Sequence, residues 1–172
     1  MQEIIIVAGP NGAGKTSFAN ELLPALRRRF TFVNADEIAR ELAISDSPSA
    51  ILDLQAGREM LTRISDLVES RSDLMFETTL SSRSYARSIR KWQQQGYGVA
   101  IVYLRLPNAE MSIERVRRRV AQGGHGLPEA TIRRRFAKSL DYFERTYKPI
   151  VNEWYVWDSL EGEFRPAEAG DS

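Results

Sequence analysis

GPNGAGKT, residues 9–16, satisfies every position of the GxxxxGK[ST] pattern and lies between two segments of different character. Residues 4–8, just before it, form a continuous apolar run, which predicts a strand buried on both faces of a parallel sheet. Residues from about 15 to 28 predict a helix. A strand before the pattern and a helix after it are the context in which this pattern forms a phosphate-binding loop, the P-loop or Walker A motif.

This loop predicts a site for ATP and Mg²⁺. Its glycines let successive backbone N–H groups converge on one phosphate, and the helix that follows presents the positive end of its dipole to the anion. Lys15 would supply a cation to the β- and γ-phosphate oxygens, and the Thr16 hydroxyl would bind Mg²⁺. The alternative is a glycine-rich turn without a ligand. The predicted nucleotide-binding residues of the loop are Gly9, Pro10, Asn11, Gly12, Ala13, Gly14, Lys15, Thr16 and Ser17.

Length, charge and composition exclude several other classes of protein. The chain has 172 residues, which predicts one domain spanning residues 1–172. A net charge of +1 gives no global attraction to nucleic acid or to an anionic membrane. The absence of cysteine and the single histidine exclude disulfides, thiolate metal sites and histidine-rich metal sites. With no signal-peptide pattern at the N-terminus and no membrane-length apolar run, we expect a cytoplasmic protein.

Strand and helix patterns alternate along the chain, which predicts an α/β P-loop NTPase fold. We expect a parallel sheet of about five strands with helices on both faces and a helical lid. The predicted strands are 4–8, 30–34, 74–77, 97–106 and 154–157. The predicted helices are 15–28, 36–42, 48–70, 84–95, 109–121 and 128–147, of which the last two form the lid over about 109–147. The predicted buried face of the longest helix is Ile51, Leu54, Leu61, Ile64 and Leu67 or Val68. The tail, about 163–172, is predicted to fray.

Two carboxylates follow predicted strands, at the sheet edge where ligands bind in such folds. Asp36 comes just after the second strand and is the candidate general base that would orient an acceptor hydroxyl and take its proton. The alternative is that Asp36 only caps the helix that follows. Glu77 ends the third strand, is followed by Thr79, and could hold a Mg²⁺-bound water or a substrate hydroxyl. The alternative for Glu77 is a cap for the helix that begins near Ser84.

Seven arginines fall between positions 115 and 135, on the two predicted lid helices. Helical geometry places Arg119 beside the buried face of the first helix, and Arg133 and Arg135 beside that of the second. We therefore expect Arg119, with Arg133 or Arg135, to clamp phosphate when the lid closes and excludes water. His125 lies between glycines in the lid loop and would either touch a phosphate or remain in solvent. The alternative for any one arginine is a solvated basic face.

The remaining details separate this chain from other P-loop classes. Transporter-type ATPases share the loop sequence but need a longer chain, a serine-glycine-glycine signature and an apolar strand ending in Asp-Glu, none of which the sequence contains.

Arg58, after Gly57 in the longest helix, could contact substrate, although an ordinary surface position is the simpler interpretation.

In its combination of motifs the sequence resembles the zeta-toxin family of P-loop kinases, and more closely its stand-alone zeta toxin-like branch, also described as predicted ABC-type ATPases. The matching segments are 9–16, 33–36, 77–79, the glycine-histidine segment 123–125 and the late strand 154–159. The resemblance implies transfer of the ATP γ-phosphate to a sugar hydroxyl of a UDP-activated amino sugar. It also implies that Lys15 is the phosphate lysine, Thr16 the Mg²⁺ ligand and Asp36 the base, with Glu77 and Thr79 positioning substrate and metal. Toxins of that family carry an arginine in the lid where this chain has His125.

Three hypotheses follow. The first is an ATP-dependent kinase of a small hydroxyl-bearing molecule, in which Lys15, Asp36, Glu77, Arg119 and Arg135 carry the chemistry. The second is a nucleotide-gated binding protein that has a protein antitoxin or regulator as partner and no small-molecule acceptor. The third is a kinase of nucleic-acid ends, which the arginine cluster favours and the near-neutral net charge disfavours.

Overall fold

The structure of the chain is a computed structural model that describes residues 1–21, 24, 29–42, 49–124, 126–160 and 163–171. Its centre is one sheet with the strand order β2-β3-β1-β4-β5-β6. The first five strands pair in parallel, and β6 pairs antiparallel with β5. The strands are β1 Gln2–Ala8, β2 Thr31–Val33, β3 Leu74–Thr78, β4 Tyr97–Arg105, β5 Glu153–Leu160 and β6 Glu163–Asp171. The predicted α/β class is confirmed, and the described residues form six strands instead of about five.

Helices connect the parallel strands, as crossover connections require. They are α1 Lys15–Glu21, α2 Ala35–Leu42, α3 Ser49–Glu69, α4 Ser84–Gln94, α5 Ala109–Ala121 and α6 Glu129–Tyr142. After α6 the chain continues as a π-helical turn, Phe143–Tyr147, and a 3-10 turn, Lys148–Ile150. The predicted continuation of the first helix to position 28 and the predicted start of the long helix at Pro48 lie outside the described residues. Within the described part of the chain, no helix is long and apolar enough to cross a membrane.

The first strand explains why the sheet must be covered on both faces. Ile4, Ile6 and Ala8 pack into one apolar cluster, while Val7 packs into a second cluster. Successive side chains of a strand point to opposite faces of the sheet, so a run without polar residues needs apolar partners on both sides. All four of these side chains are fully buried.

The tail was predicted to fray, and this prediction is wrong. Residues Glu163–Asp171 form β6, in register with β5 from Leu160↔Glu163 to Glu153↔Asp171. One aromatic side chain ties β6 to the interior: the Phe164 ring lies edge-on to Phe18 of α1, with 5.1 Å between the ring centroids. The tail contains Pro166 and few β-branched residues, so its own pattern predicts no strand. Hydrogen bonding to the exposed edge of β5 overrides that weak preference, and an edge strand tolerates proline.

The predicted buried face of the longest helix is also corrected. Ala56, Met60, Ile64 and Val68, spaced four residues apart, form the buried face of α3. Ile51, Leu54 and Leu61 are instead exposed, at 51%, 59% and 50%. Only the Ile64 and Val68 part of the prediction holds, because α3 packs into the core through the row that also contains Ala56 and Met60.

Candidate active site

Strand register brings the predicted site residues to one edge of the sheet. Val7 of β1 is level with Glu77 of β3, and Val33 of β2 is level with Phe76. The P-loop after β1, the Glu77 end of β3 and the segment after β2 therefore leave the sheet side by side. A cavity of about 650 Å³ opens at this edge. This position, at the carboxyl ends of parallel strands, is where α/β folds bind ligands.

The P-loop has the backbone geometry that its glycines predict. Gly9, Gly12 and Gly14 adopt φ values of +145°, +77° and +81°, a region that L side chains rarely enter. At Gly9 a Cβ would also lie 2.4 Å from the carbonyl oxygen of Leu104. A hydrogen-bonded turn closes the loop, since the Ala13 N–H donates to the Pro10 carbonyl over 3.2 Å. Glycine at position 9 is therefore required by both conformation and space.

Helix α5 holds the loop through the side chains of Ser112 and Arg115. The hydroxyl of Ser112 donates to the carbonyl of Asn11. The Arg115 guanidinium donates to the carbonyl of Gly12 over 3.3 Å and to the Ser159 hydroxyl over 2.7 Å. Arg115 thereby connects the lid helix, the phosphate loop and the end of β5. Arg115 is not among the predicted site residues, although it belongs to the same basic cluster as the predicted clamp residues.

Lys15 lies at the cavity with its ammonium group turned toward the loop. The Nζ atom donates to the carbonyls of Gly9, over 3.0 Å, and Pro10, over 3.2 Å. Burial lowers the pKa of Lys15, while the carboxylates of Glu77 and Asp36 oppose that shift. An entering phosphate would supply a stronger acceptor than these neutral carbonyls, because charge-assisted hydrogen bonds are the stronger kind.

Thr16 and Glu77 meet as a pair of oxygen ligands. The Thr16 hydroxyl lies 2.9 Å from one carboxylate oxygen of Glu77 and 3.1 Å from the other. Burial raises the pKa of Glu77, and the positive charge of Lys15 and the Thr16 hydrogen bond oppose that rise. A hydroxyl and a carboxylate beside a phosphate loop are the donors that Mg²⁺ takes in such sites. The residues present therefore fit the predicted ion, and Glu77 is bonded to Thr16 instead of capping a helix.

Asp36 is positioned by its neighbour Asn34. The side-chain oxygen of Asn34 accepts a hydrogen bond from the Asp36 N–H over 2.7 Å, and Asn34 is 3% exposed. Asn34 therefore caps α2, which begins at Ala35. The alternative prediction, that Asp36 is the cap, is wrong. Asp36 instead presents an exposed carboxylate among the residues that line the cavity.

The structure separates the predicted arginines into two groups. Arg119 of α5 and Arg135 of α6 line the cavity, as the clamp prediction requires. Arg133 is placed away from it and forms an exposed ion pair with Glu110 of α5. Helical geometry alone suggested Arg133, but the acidic residue on the neighbouring helix holds its side chain outside. Arg117 and Arg118 likewise pair with Glu129 and Glu114 on the lid surface.

Three further predictions concern single residues. Thr79 lines the cavity, and its hydroxyl lies 2.9 Å from that of Ser81. Arg58 is exposed and is not among the residues that line the cavity. His125 lies outside the described residues.

Sequence reasoning missed one part of the cavity altogether. Its residues come from α3, from the segment between β3 and α4 and from the start of α4, and they are Ala56, Gly57, Met60, Ser82, Ser84 and Tyr85. The repeated serines at 81, 82 and 84 were a visible signal of a polar loop. No sequence signal joined that loop to a helix more than twenty residues earlier, because only the folded sheet brings the two together.

The parallel sheet, the phosphate loop after β1 and the helical hairpin of α5 and α6 define a P-loop protein of the kinase-like type. The family described as an AAA domain matches residues 4–146, and the chain belongs to that family. An uncharacterized protein of Haemophilus influenzae is 24% identical over 132 residues, which is 77% of this chain and 91% of that protein.

Solved structures share the fold at low sequence identity. The AvrRxo1-ORF1:-ORF2 structure with ATP aligns over 98% of this chain with a TM-score of 0.78 and 17% identity. The PezAT toxin-antitoxin system of Streptococcus pneumoniae aligns over 98% with a TM-score of 0.68 and 16% identity. A gluconokinase of Sinorhizobium meliloti aligns over 91% with a TM-score of 0.57 and 20% identity.

These matches cover different shares of the solved chains. This chain spans 58% of the AvrRxo1 chain, 72% of the PezAT chain and 82% of the gluconokinase chain. It spans 46% of the chain that it matches in the Pnkp1/Rnl/Hen1 RNA repair complex. The predicted resemblance is thus supported at the level of the P-loop kinase-like fold, which the toxin system shares with the gluconokinase.

Proposed function

We propose that the protein is an ATP-dependent phosphotransferase that transfers the γ-phosphate to a hydroxyl of a small molecule. One observation carries the proposal: a single cavity is lined by Lys15, Thr16, Glu77 and Asp36, with arginines from both lid helices. A phosphate cradle alone would serve any nucleotide-binding protein. A carboxylate in the same cavity and cations on a separate hairpin are the additional parts that phosphoryl transfer to an alcohol needs.

Each residue has a defined task in this reaction. The P-loop N–H groups and Lys15 hold the β- and γ-phosphates. Asp36 accepts the proton of the acceptor hydroxyl. The oxygen of that hydroxyl forms a bond to the γ-phosphorus. The bond from that phosphorus to the β-phosphate oxygen breaks, and ADP leaves. Arg119 and Arg135 stabilise the charge on the migrating group from the lid.

Thr16 and Glu77 would hold Mg²⁺ in this site. When bound, the ion would supply positive charge that offsets the negative charge of the phosphates. The Thr16 hydroxyl and the Glu77 carboxylate bond to each other, which keeps both oxygen donors oriented. The pair also prevents Glu77 from becoming a buried acid without a partner, which would be costly.

The comparisons support a kinase and leave the acceptor open. The neighbours with this fold include a gluconokinase and a toxin-antitoxin system. The resemblance to zeta toxins makes a UDP-amino sugar one acceptor to test. The near-neutral net charge and the pairing of Arg117, Arg118 and Arg133 with carboxylates reduce the basic surface available to a polynucleotide.

A nucleotide-gated binding protein is the second candidate. Two of the neighbours are a toxin-antitoxin system and a two-component ORF1:-ORF2 structure, which favours a protein antitoxin or regulator as partner. This candidate predicts tight ATP binding and nucleotide-dependent association with a protein, without turnover stimulated by a small molecule.

The deciding experiment measures ADP release from ATP and Mg²⁺ by purified protein. Reactions are run with and without a panel of small alcohols, sugars and UDP-amino sugars. Lys15→Ala and Asp36→Asn test the site, and Asp66→Asn, a carboxylate-to-amide change on the exposed face of α3, is the matched control. Stimulation by one acceptor that is lost in both site variants and kept in the control supports the kinase. Full stimulated transfer by Asp36→Asn would refute the role of Asp36.

A further inference from the structure

The cavity contains a part that the phosphate-binding residues do not use. This part, which we name the α3 wall, consists of Ala56, Gly57, Met60, Ser82, Ser84 and Tyr85. The charged groups of the cavity come from other elements: Lys15 from the P-loop, Asp36 from α2, Glu77 from β3 and the arginines from the lid. The α3 wall itself has no lysine or arginine among its described residues.

Hydroxyl groups supply the polarity of the α3 wall. The Ser82 and Ser84 hydroxyl oxygens lie 2.8 Å apart. Each hydroxyl has one proton and two lone pairs. The bond between them uses one of each, and the Ser84 N–H donates to the Ser82 oxygen, so the pair retains one proton and two lone pairs for a ligand. Burial raises the pKa of Tyr85 to about 12, so its phenol is neutral at physiological pH. This wall can therefore exchange hydrogen bonds with hydroxyl groups in both directions.

An anionic group would lack charge-assisted hydrogen-bond donors at the α3 wall. A phosphate or diphosphate that leaves water needs charge-assisted donors to replace its hydration. The described residues of the α3 wall offer only neutral hydroxyls. The cavity-lining cations Lys15, Arg119 and Arg135 are already assigned to the triphosphate, and Arg115 is bonded to the carbonyls of Gly12, Ser159 and Leu160.

Gly57 gives the α3 wall its depth. It lies inside α3, which runs from Ser49 to Glu69, where glycine is a poor helix former. A Cβ at this position would meet no other described heavy atom within 4 Å. Since Gly57 lines the cavity, a side chain there would enter space that a ligand can use. Ala56 and Met60, which line the cavity on either side of Gly57, are buried, at 1% and 4% exposure. The cavity therefore does not extend past these two side chains.

We propose that the α3 wall is the acceptor subsite, that its ligand is a small uncharged polyhydroxylated molecule such as a free sugar, and that the missing side chain of Gly57 admits it. The inference rests on the proposed function, because it assigns the hydroxyl that receives the phosphate. It makes Gly57 a specificity-determining residue, with Asp36 beside the same cavity taking the proton.

The test uses the full chain with Mg²⁺ and either ATP or a non-hydrolysable ATP analogue. The probes are glycerol, ribose, glucose and UDP-N-acetylglucosamine. Binding to the analogue complex is measured by thermal shift and calorimetry, and transfer by ADP release. The variants are Gly57→Ala, Gly57→Leu and Asp36→Asn. The control is Ser65→Ala, an exposed position of the same helix outside the cavity lining.

We expect at least one uncharged probe to bind and to be phosphorylated. Gly57→Ala should raise the KM for that probe by about ten-fold, the scale of one methyl group in a fitted pocket, and Gly57→Leu should abolish binding. The Kd of the ATP analogue should stay unchanged in both, and Ser65→Ala should match the unmodified protein. Binding of UDP-N-acetylglucosamine alone, binding of no uncharged probe, or an unchanged KM in Gly57→Leu would overturn the inference.

The two proposals fail in different ways. If an uncharged probe binds in a manner that depends on Gly57 but is never phosphorylated, the α3 wall stands as a binding site for that probe, and its acceptor role is refuted together with the kinase. If transfer occurs and requires Asp36, but Gly57→Leu leaves the acceptor KM unchanged, the kinase stands and the subsite is refuted.

Discussion

Ser139 of α6 is the buried hydroxyl that holds the lid to the segment after β3. It donates to the carbonyl of Thr79 over 2.5 Å, and its oxygen lies 2.9 Å from the hydroxyl of Tyr103 in β4. Ser139 is fully buried and Tyr103 is 2% exposed. Since Thr79 lines the cavity and α6 carries Arg135, this pair of hydrogen bonds joins the lid to the site.

Removing this hydroxyl should have a calculable cost. Ser139→Ala breaks two hydrogen bonds, each worth about 1 kcal/mol net, so we expect a loss of about 2 kcal/mol in the free energy of unfolding. Tyr103→Phe breaks one of them and should lose about 1 kcal/mol. The phenylalanine keeps the stacking on Phe143, whose ring centroid lies 4.4 Å from that of Tyr103. In the double variant the shared bond is lost only once, so the coupling energy should be about 1 kcal/mol.

Urea denaturation of the four proteins tests this reasoning. The slope of the free energy against urea should stay constant while the midpoint falls. The control is Ser82→Ala, which removes an exposed hydroxyl bonded to the hydroxyl and the N–H of Ser84. Its free energy of unfolding should stay within about 0.5 kcal/mol of the unmodified protein. Strictly additive losses in the double variant would refute the shared bond, and a Ser139→Ala loss equal to the control would refute the network.

Three other perturbations have definite expected outcomes. Gly9→Ala places a Cβ 2.4 Å from the Leu104 carbonyl oxygen at φ +145°, so it should abolish ATP binding and lower the urea midpoint, and normal calorimetric binding would contradict the loop geometry. Gly57→Ala should raise the free energy of unfolding by about 0.5–1 kcal/mol through helix propensity, and a lower urea midpoint would show that the added methyl clashes. Burial raises the pKa of Tyr103 and of Tyr147 to about 12, whereas tyrosine in the unfolded chain has a pKa of about 10. Because the folded state holds these protons more tightly, the free energy of unfolding should be unaffected below about pH 10 and should fall as the pH rises through about 12. Tyr103→Phe should flatten that fall in pH-dependent urea titrations, and an unchanged alkaline slope would contradict the shift.

The local parts of the site could be predicted because each depends on neighbours in the chain. The glycines of residues 9–16 determine a backbone that curls around a phosphate, and the apolar run before them determines a strand buried on both faces. The order of strands and helices then places Asp36 and Glu77 after neighbouring strands. Their meeting at one edge follows from the parallel arrangement itself.

Contacts between helices could not be predicted in the same way. Helical geometry placed Arg119, Arg133 and Arg135 equally near a buried face, but Glu110 of the facing helix pairs with Arg133 and keeps it on the surface. The buried face of α3 differs from the predicted one for a similar reason, since packing in the core selected Ala56 and Met60 instead of Ile51 and Leu54. Periodicity describes one helix, whereas the partner decides which of several candidate faces is used.

The last strand and the α3 wall depended on tertiary structure alone. β6 has a weak strand pattern of its own and forms because β5 offers an open edge and Phe18 offers a ring for Phe164. Gly57, Ser82 and Tyr85 reach one cavity only after β3 has entered the sheet between β1 and β2. The phosphate-binding end of the site is thus determined by consecutive residues, because their conformation depends on neighbours in the chain. The end proposed to select the acceptor is assembled from distant segments, and only the packing of the sheet brings them together.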